Sequence, residues 1–207
     1  MHDVSLEYAK SLPRAADVVV LGLTTAGDIT ALVGGSPELD KMYSSAFKVG
    51  VGDLALAMGA KSDVESVTVL PATESARAVV VGLGDPDVTP ATLRRAVGSA
   101  LRTVAALPDA DGLTVAISLE LGDPELVQAA AEGAALGAYR VTVVTAEITP
   151  RPVAKIVVVT KADAKSAINV ATAGARAVYQ ARDWANTPPN LLYPENFAEA
   201  AKAYVKD

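Results

Sequence analysis

Five short runs of consecutive apolar, largely β-branched residues recur along the chain, at 17–23 (with Val18-Val19-Val20 inside), 66–70, 76–83, 113–118 and 154–160. A strand with one wet face alternates apolar and polar residues, whereas one apolar at consecutive positions is covered on both faces. Strands of that kind belong to a mainly parallel sheet with helices on both faces, and helical patterns lie between the runs. The chain therefore reads as α/β.

The helices announce their starts. Thr89 before Pro90 places a capping hydroxyl ahead of a proline at the first helical position. Leu93, Val97, Leu101 and Val104 then follow on one stripe, so residues 89–106 read as a helix. Asp123 and Pro124 open another by the same logic, past Leu126, Ala130 and Ala134 to Gly137, where glycine suits a left-handed helix end. A third pattern covers 163–185, with Ala164, Ile168, Ala171, Ala175, Val178, Ala181 and Ala185 spaced by threes and fours. At ~1.5 Å per residue it spans roughly 35 Å. That is long for a helix capping one sheet, and its alanine seam beside Gly174 marks it as a connector between two bodies. Residues 37–47 read as a helix and the stretch to residue 60 as a strand or turn.

Composition narrows the function. Hydrophobic residues make up 51% of the 207 and aromatic residues only 4%, which describes a folded chain with an Ala- and Val-rich core. The formal net charge is -6 and the cations are scattered, which counts against nucleic-acid binding through clustered phosphate contacts. Without cysteine there is no disulfide and no thiolate chemistry. The start, Met1-His2-Asp3-Val4-Ser5, lacks the basic and apolar regions of a secretion signal. No segment approaches the ~18 apolar residues of a membrane span. A cytoplasmic protein with no membrane partner is expected.

Candidate chemistry is sparse. Val81-Gly82-Leu83-Gly84-Asp85-Pro86 looks like the strand and turn of a dinucleotide site, but Asp87 holds the third glycine position and the helix begins only at Pro90. The turn reads as structural, as does Gly34-Gly35-Ser36. The carboxylate pairs Asp85/Asp87 and Asp109/Asp111 sit among Pro and Gly, where solvated turn carboxylates are the norm. His2 is the only histidine, next to the N-terminus, so a Ser-His-Asp triad or a histidine-based zinc site is not expected. Arg182 and Asp183 read as an ion pair or a carbonyl-capping cation, and Trp184 as packing. No residue stands out as catalytic, metal-binding or substrate-binding.

After residue 185 comes Asn186-Thr187-Pro188-Pro189-Asn190-Leu191-Leu192-Tyr193-Pro194. The two adjacent prolines push Thr187 and Pro188 into extended backbone and stop the helix near Asn186. Pro194 then opens a last helix, with Glu195 beside its positive end and Phe197, Ala200, Ala201 and Tyr204 on one face. Taken in order, four motifs resemble the N-terminal part of the leucine (cytosol) aminopeptidase family. They are Val81-Gly82-Leu83-Gly84, Leu93-Arg94-Arg95-Ala96-Val97-Gly98, Ala131-Glu132-Gly133-Ala134-Ala135-Leu136-Gly137-Ala138-Tyr139-Arg140, and Ala181-Arg182-Asp183-Trp184-Ala185-Asn186-Thr187-Pro188-Pro189-Asn190. The resemblance runs from about residue 76 to residue 207.

It implies an N-terminal α/β domain similar to a macro domain over 1–160, a connecting helix over 161–187 and the start of a catalytic domain over 188–207. In the family the catalytic domain holds two divalent metal ions, Mn or Zn, on Lys, Asp and Glu ligands. It removes N-terminal residues from peptides and assembles into a homo-hexamer. Its metal motifs, of the form KGxTFDxGG and NTDAEGR, follow the junction, and no position here matches them. The resemblance therefore carries over no catalytic, metal or substrate residue, and this segment alone is expected to be inactive, serving assembly and access to the site. Tyr193 departs from the family's usual Thr, losing a side-chain cap, and Val141-Thr142 replaces aromatic and acidic residues. Two rival readings stand beside it. One is a stand-alone macro-like module binding ADP-ribose or a related nucleotide, with the turn from Gly82 to Asp87 near the phosphates. The other is DNA binding, found in some bacterial members through this half of the chain and opposed here by the acidic balance.

Overall fold

The computed structural model describes residues 4–140 and 152–205. Among them the element order is β1 (Ser5–Ala9), β2 (Val18–Ala26), β3 (Ile29–Val33), α1 (Pro37–Phe47), α2 (Val51–Ala57), β4 (Val67–Val69), β5 (Arg77–Gly84), α3 (Pro90–Ala105), β6 (Leu113–Ser118), α4 (Pro124–Ala138), β7 (Val153–Val159), α5 (Lys165–Asn186) and α6 (Pro194–Tyr204). All five apolar runs became strands. Four of them, β2, β5, β6 and β7, are interior strands of one sheet ordered β1-β7-β6-β2-β5-β4. The β1/β7, β7/β6, β6/β2 and β2/β5 pairs are parallel, and β4 joins β5 antiparallel. His2 and the Val141-Thr142 departure lie outside the described residues.

Strand alternation divides the core. Val18 and Val20 of β2, with Val79 and Val81 of β5, turn to one face and pack under Leu93, Val97 and Leu101 of α3 and Val127 and Ala130 of α4. Val19, Leu21 and Val80 turn to the other, under Leu39 and Tyr43 of α1 and Val51 and Ala55 of α2. Both faces are covered, as consecutive apolar residues require. Each Val or Leu side chain buried this way contributes about 1.5–3 kcal/mol relative to exposure.

Helix starts follow their caps. Thr89 accepts from the Thr92 amide and Asp123 from the Glu125 amide, with Pro90 and Pro124 in the first turns. Gly137, however, is no helix end. It lies inside α4, where a Cβ would come within 2.3 Å of the Gly98 carbonyl oxygen of α3. A Cβ on Gly133 would meet the Arg94 carbonyl oxygen at the same distance. These glycines bring α3 and α4 backbone to backbone, and α4 ends instead on extended Tyr139. The Arg94 to Glu132 ion pair, at 2.7 Å, closes the same interface.

Three elements differ from expectation. The strands β1 and β3 were not anticipated, and residues 51–57 form the helix α2 where a strand or turn was expected. β1 and β3 are edge strands of exposed and half-buried residues, without the runs of buried residues that mark β2, β5, β6 and β7. α2 has only seven residues and no side-chain cap, leaving little periodicity to detect. In α5, Ala164, Ile168, Ala171 and Ala175 are buried as expected, but the next buried residue is Tyr179, and Val178 is 37% exposed. No described helix is long and apolar enough to cross a membrane.

Candidate functional site

In open α/β sheets ligands gather at the carboxyl ends of the strands, so the turn after β5 is the first place to look. Its glycine amides are already taken. Gly82 N–H donates to the Ser66 carbonyl (2.8 Å), and Gly84 N–H, at φ 79°, donates to the Ser62 carbonyl (2.7 Å). A Cβ on Gly82 would lie 2.0 Å from the Asp63 carbonyl oxygen. The segment 62–65 therefore fills the space over the turn. It is pinned from α3, where the Glu65 carboxylate meets the Arg95 Nε at 3.4 Å and accepts from the Ser99 hydroxyl at 3.1 Å. Asp85 and Asp87 stay exposed, and the α3 N-terminus is closed by Thr89. Next to β6, Gly34 and Gly35 have φ of 90° and 96°. Gly35 N–H donates to the Ser118 hydroxyl at 3.0 Å, and a Cβ on Gly34 would fall 1.7 Å from the Ser118 carbonyl oxygen. That loop is a tight packing turn.

At the opposite ends of β2, β5 and β6 an open depression of about 210 Å³ is lined by Asp17, Thr73, Glu74, Arg77 and Asp109 among others. Arg77 grips Asp109 through two hydrogen bonds of 3.1 Å, and the guanidinium holds that carboxyl below the ordinary carboxylate value. Asp111 is exposed and takes no part. Among the described residues no three His, Cys, Asp or Glu side chains converge as a metal ion would require.

The densest polar arrangement lies where α4 ends against α5. The Tyr139 hydroxyl donates to Asp183 Oδ1 at 2.8 Å, and the Asn186 amide approaches the same hydroxyl at 3.4 Å. Arg182 places its guanidinium 5.1 Å from the Tyr139 ring centroid and donates to the Leu136 carbonyl at 3.3 Å. It thus caps the C-terminus of α4, not its own helix. The Tyr179 hydroxyl donates to the Ala135 carbonyl, and its ring lies 5.1 Å from that of Tyr139. Partial burial raises the Tyr139 hydroxyl above its ordinary value of 10.0, and the Asp183 carboxylate raises it further, against smaller opposing effects of Asn186 and Arg182. Tyr139 and Tyr179 were not singled out from sequence. A usable signal was there, since Tyr179, Arg182, Asp183 and Asn186 recur at i, i+3, i+4 and i+7 and must share one helix face.

Beyond Asn186 the chain turns. Thr187 is extended (φ -74°, ψ 128°) and its hydroxyl donates back to the Asp183 carbonyl at 2.7 Å. Pro188 begins a turn whose carbonyl accepts from the Leu191 and Leu192 amides. α6 then starts at Pro194 with no side-chain cap from Tyr193. Trp184 of α5 meets the edges of Phe197 (5.1 Å) and Tyr204 (6.1 Å) of α6. No residue of α6 is buried, and Leu191, Tyr193 and Phe197 are about half exposed. The cluster contains no nucleophile with its base and no metal ligand set. What it does physically is fix the direction in which α5 leaves the sheet and present an apolar, aromatic end.

Residues 20–147, more than half of the chain, match the cytosol aminopeptidase family, N-terminal domain. Full-length relatives agree. A probable cytosol aminopeptidase of Cutibacterium acnes is 35% identical over 192 residues, covering 92% of this chain and 38% of the relative. One from Rhodococcus opacus is 33% identical over 213 residues, covering 95% and 39%. The chain thus spans about two fifths of the length of the curated relatives it matches. Among solved structures the bottromycin maturation enzyme BotP superposes with a TM-score of 0.65 at 27% identity, over 91% of this chain and 37% of that one. A tomato leucine aminopeptidase variant reaches 0.72 at 17% identity over 97% and 42%, a likeness of fold alone. The matched α/β sheet and the α4–α5 joint that follows it belong to one family: this chain is a member of the cytosol aminopeptidase family and carries its N-terminal domain.

Proposed function

We propose that this chain is the N-terminal portion of a metal-dependent leucyl aminopeptidase that removes N-terminal amino acids from peptides. Residues 1–160 form its α/β domain, 161–187 the connecting helix and 188–207 the start of the catalytic domain. The observation that carries this reading is the family match over residues 20–147 combined with α5. That 22-residue helix is latched to α4 through Tyr139, Tyr179 and Asp183, and near its end the half-buried Trp184 meets the exposed Phe197 of α6. The segment's work is mechanical: α5 sets where the catalytic domain stands and so governs assembly and access to its site.

Two divalent ions, Mn or Zn, belong to that catalytic domain, and none of this segment's residues binds metal or substrate. A cytoplasmic homo-hexamer acting on peptides is the corresponding whole, in keeping with relatives named cytosol aminopeptidase. ADP-ribose binding at the β5 turn is not favoured, because the Gly82 and Gly84 amides a phosphate would need are bonded to Ser66 and Ser62. The 207-residue chain, purified from a host without peptidase contamination and supplied with Mn²⁺, is expected to leave Leu-p-nitroanilide unhydrolysed. Turnover by the chain alone would contradict the proposal.

A further inference from the structure

Three outer strand edges of the sheet are unpaired among the described residues, and two are protected. β1 carries Glu7, ion-paired to Lys155 at 2.8 Å, and β4 is only three residues long. β3, Ile-Thr-Ala-Leu-Val, has neither protection, since it holds no charge, no proline and no bulge. Ile29 is 72% exposed, and Thr30 and Ala31 are exposed with it.

The backbone of β3 is oriented for a further strand. A two-residue turn, Gly27-Asp28, joins β2 to β3 with Ala26 opposite Ile29. The closing pair of such a hairpin exchanges hydrogen bonds, and alternation then turns the N–H and C=O groups of Thr30 and Leu32 to the open side. No backbone hydrogen bond outside the strand ladders involves either residue among those described.

We propose that β3 pairs antiparallel with β3 of a second copy of this chain, about a two-fold axis at Ala31. In that register Ile29 faces the partner's Val33, Thr30 faces the partner's Leu32, and Ala31 faces the partner's Ala31. The outward groups of Thr30 and Leu32 then meet each other, forming about four backbone hydrogen bonds. No charge opposes a charge. Ile29, Ala31 and Val33 lie on one side of the strand, and the two-fold sets both copies' residues on the same side as one apolar ribbon. An edge complementary to itself in this way selects a second copy over an unrelated strand.

The chain contains no cysteine, so one introduced thiol reads the register. Ala31 opposite the partner's Ala31 is a close pair, with Cα atoms ~4.5 Å apart, within disulfide reach. Under mild oxidation Ala31→Cys is expected to run mainly as a disulfide dimer, and Thr30→Cys, whose thiols are offset, to cross-link at least about tenfold more slowly. Sedimentation equilibrium of the unaltered chain should show mass rising toward twice 21.1 kDa with concentration. Ala31→Lys, an exposed change with its fold checked by circular dichroism, should weaken the dimer at least about tenfold. A chain that stays monomeric across the micromolar range, equal cross-linking at positions 30 and 31, or a dimer indifferent to Ala31→Lys would each overturn the proposal.

Discussion

Tyr139 shows how one residue ties two helices. Its hydroxyl donates to Asp183, its ring carries Arg182 and packs beside Tyr179, and all three partners lie on α5. Tyr139→Phe should keep the ring and lose the hydrogen bonds, lowering stability by about 1 kcal/mol in urea titration at neutral pH. The folded protein holds this proton above the ordinary 10.0. The hydroxyl's contribution is therefore whole below pH 10 and is lost as pH rises through the folded value, so the gap between parent and variant should narrow in strong alkali. Glycines give a sharper contrast. At Gly133 a Cβ would sit 2.3 Å from the Arg94 carbonyl oxygen, so Gly133→Ala must part α3 from α4 and should cost about 2–3 kcal/mol. Around Gly174, on exposed α5, nothing lies within 4 Å. Gly174→Ala should therefore raise stability by up to about 1 kcal/mol, and thermal melts of the two variants should move in opposite directions.

Elements were legible where both faces or both ends left a chemical mark. β2, β5, β6 and β7 declared themselves because burial on two faces demands apolar residues in succession, and α3 and α4 because Thr89-Pro90 and Asp123-Pro124 cap them. β1 and β3 stayed hidden because exposed residues interrupt or open them, as the half-exposed Ser-Leu-Glu-Tyr-Ala of β1 illustrates, whereas the one-partner strand β4 showed itself through its β-branched Val67-Thr68-Val69. The α5 stripe follows its sequence spacing to Ala175. It then passes to Tyr179 instead of Val178, because a 3.6-residue period drifts from alternating threes and fours and because α4 ends at Ala138, leaving little to pack beyond it. The site was harder still: Tyr139 and Asp183 are 44 residues apart, and only tertiary packing joins them. For α6, with no buried residue, the contact of Trp184 with Phe197 and Tyr204 is the anchor. Trp184→Ala should raise amide exchange across α6 by about tenfold and leave β2 and β5 protected, as hydrogen exchange by mass spectrometry would record.

At the scale of the whole molecule, the described residues present a scaffold with no assembled reaction centre. Its strand-end turns are filled by 62–65 and by the Gly34-Gly35 loop, and its acidic groups are scattered or paired. The feature that reaches outward is α5, fixed at α4 and followed by the exposed Tyr193 and Phe197, which fits a segment that orients a catalytic domain. The most direct measurement replaces the matching N-terminal portion of the Cutibacterium acnes relative with this chain and follows assembly and hydrolysis of Leu-p-nitroanilide with Mn²⁺. The account predicts that the chimera assembles and hydrolyses within about tenfold of its parent, and that Tyr139→Phe combined with Trp184→Ala lowers both. A folded chimera that neither assembles nor hydrolyses beside an active parent would contradict it.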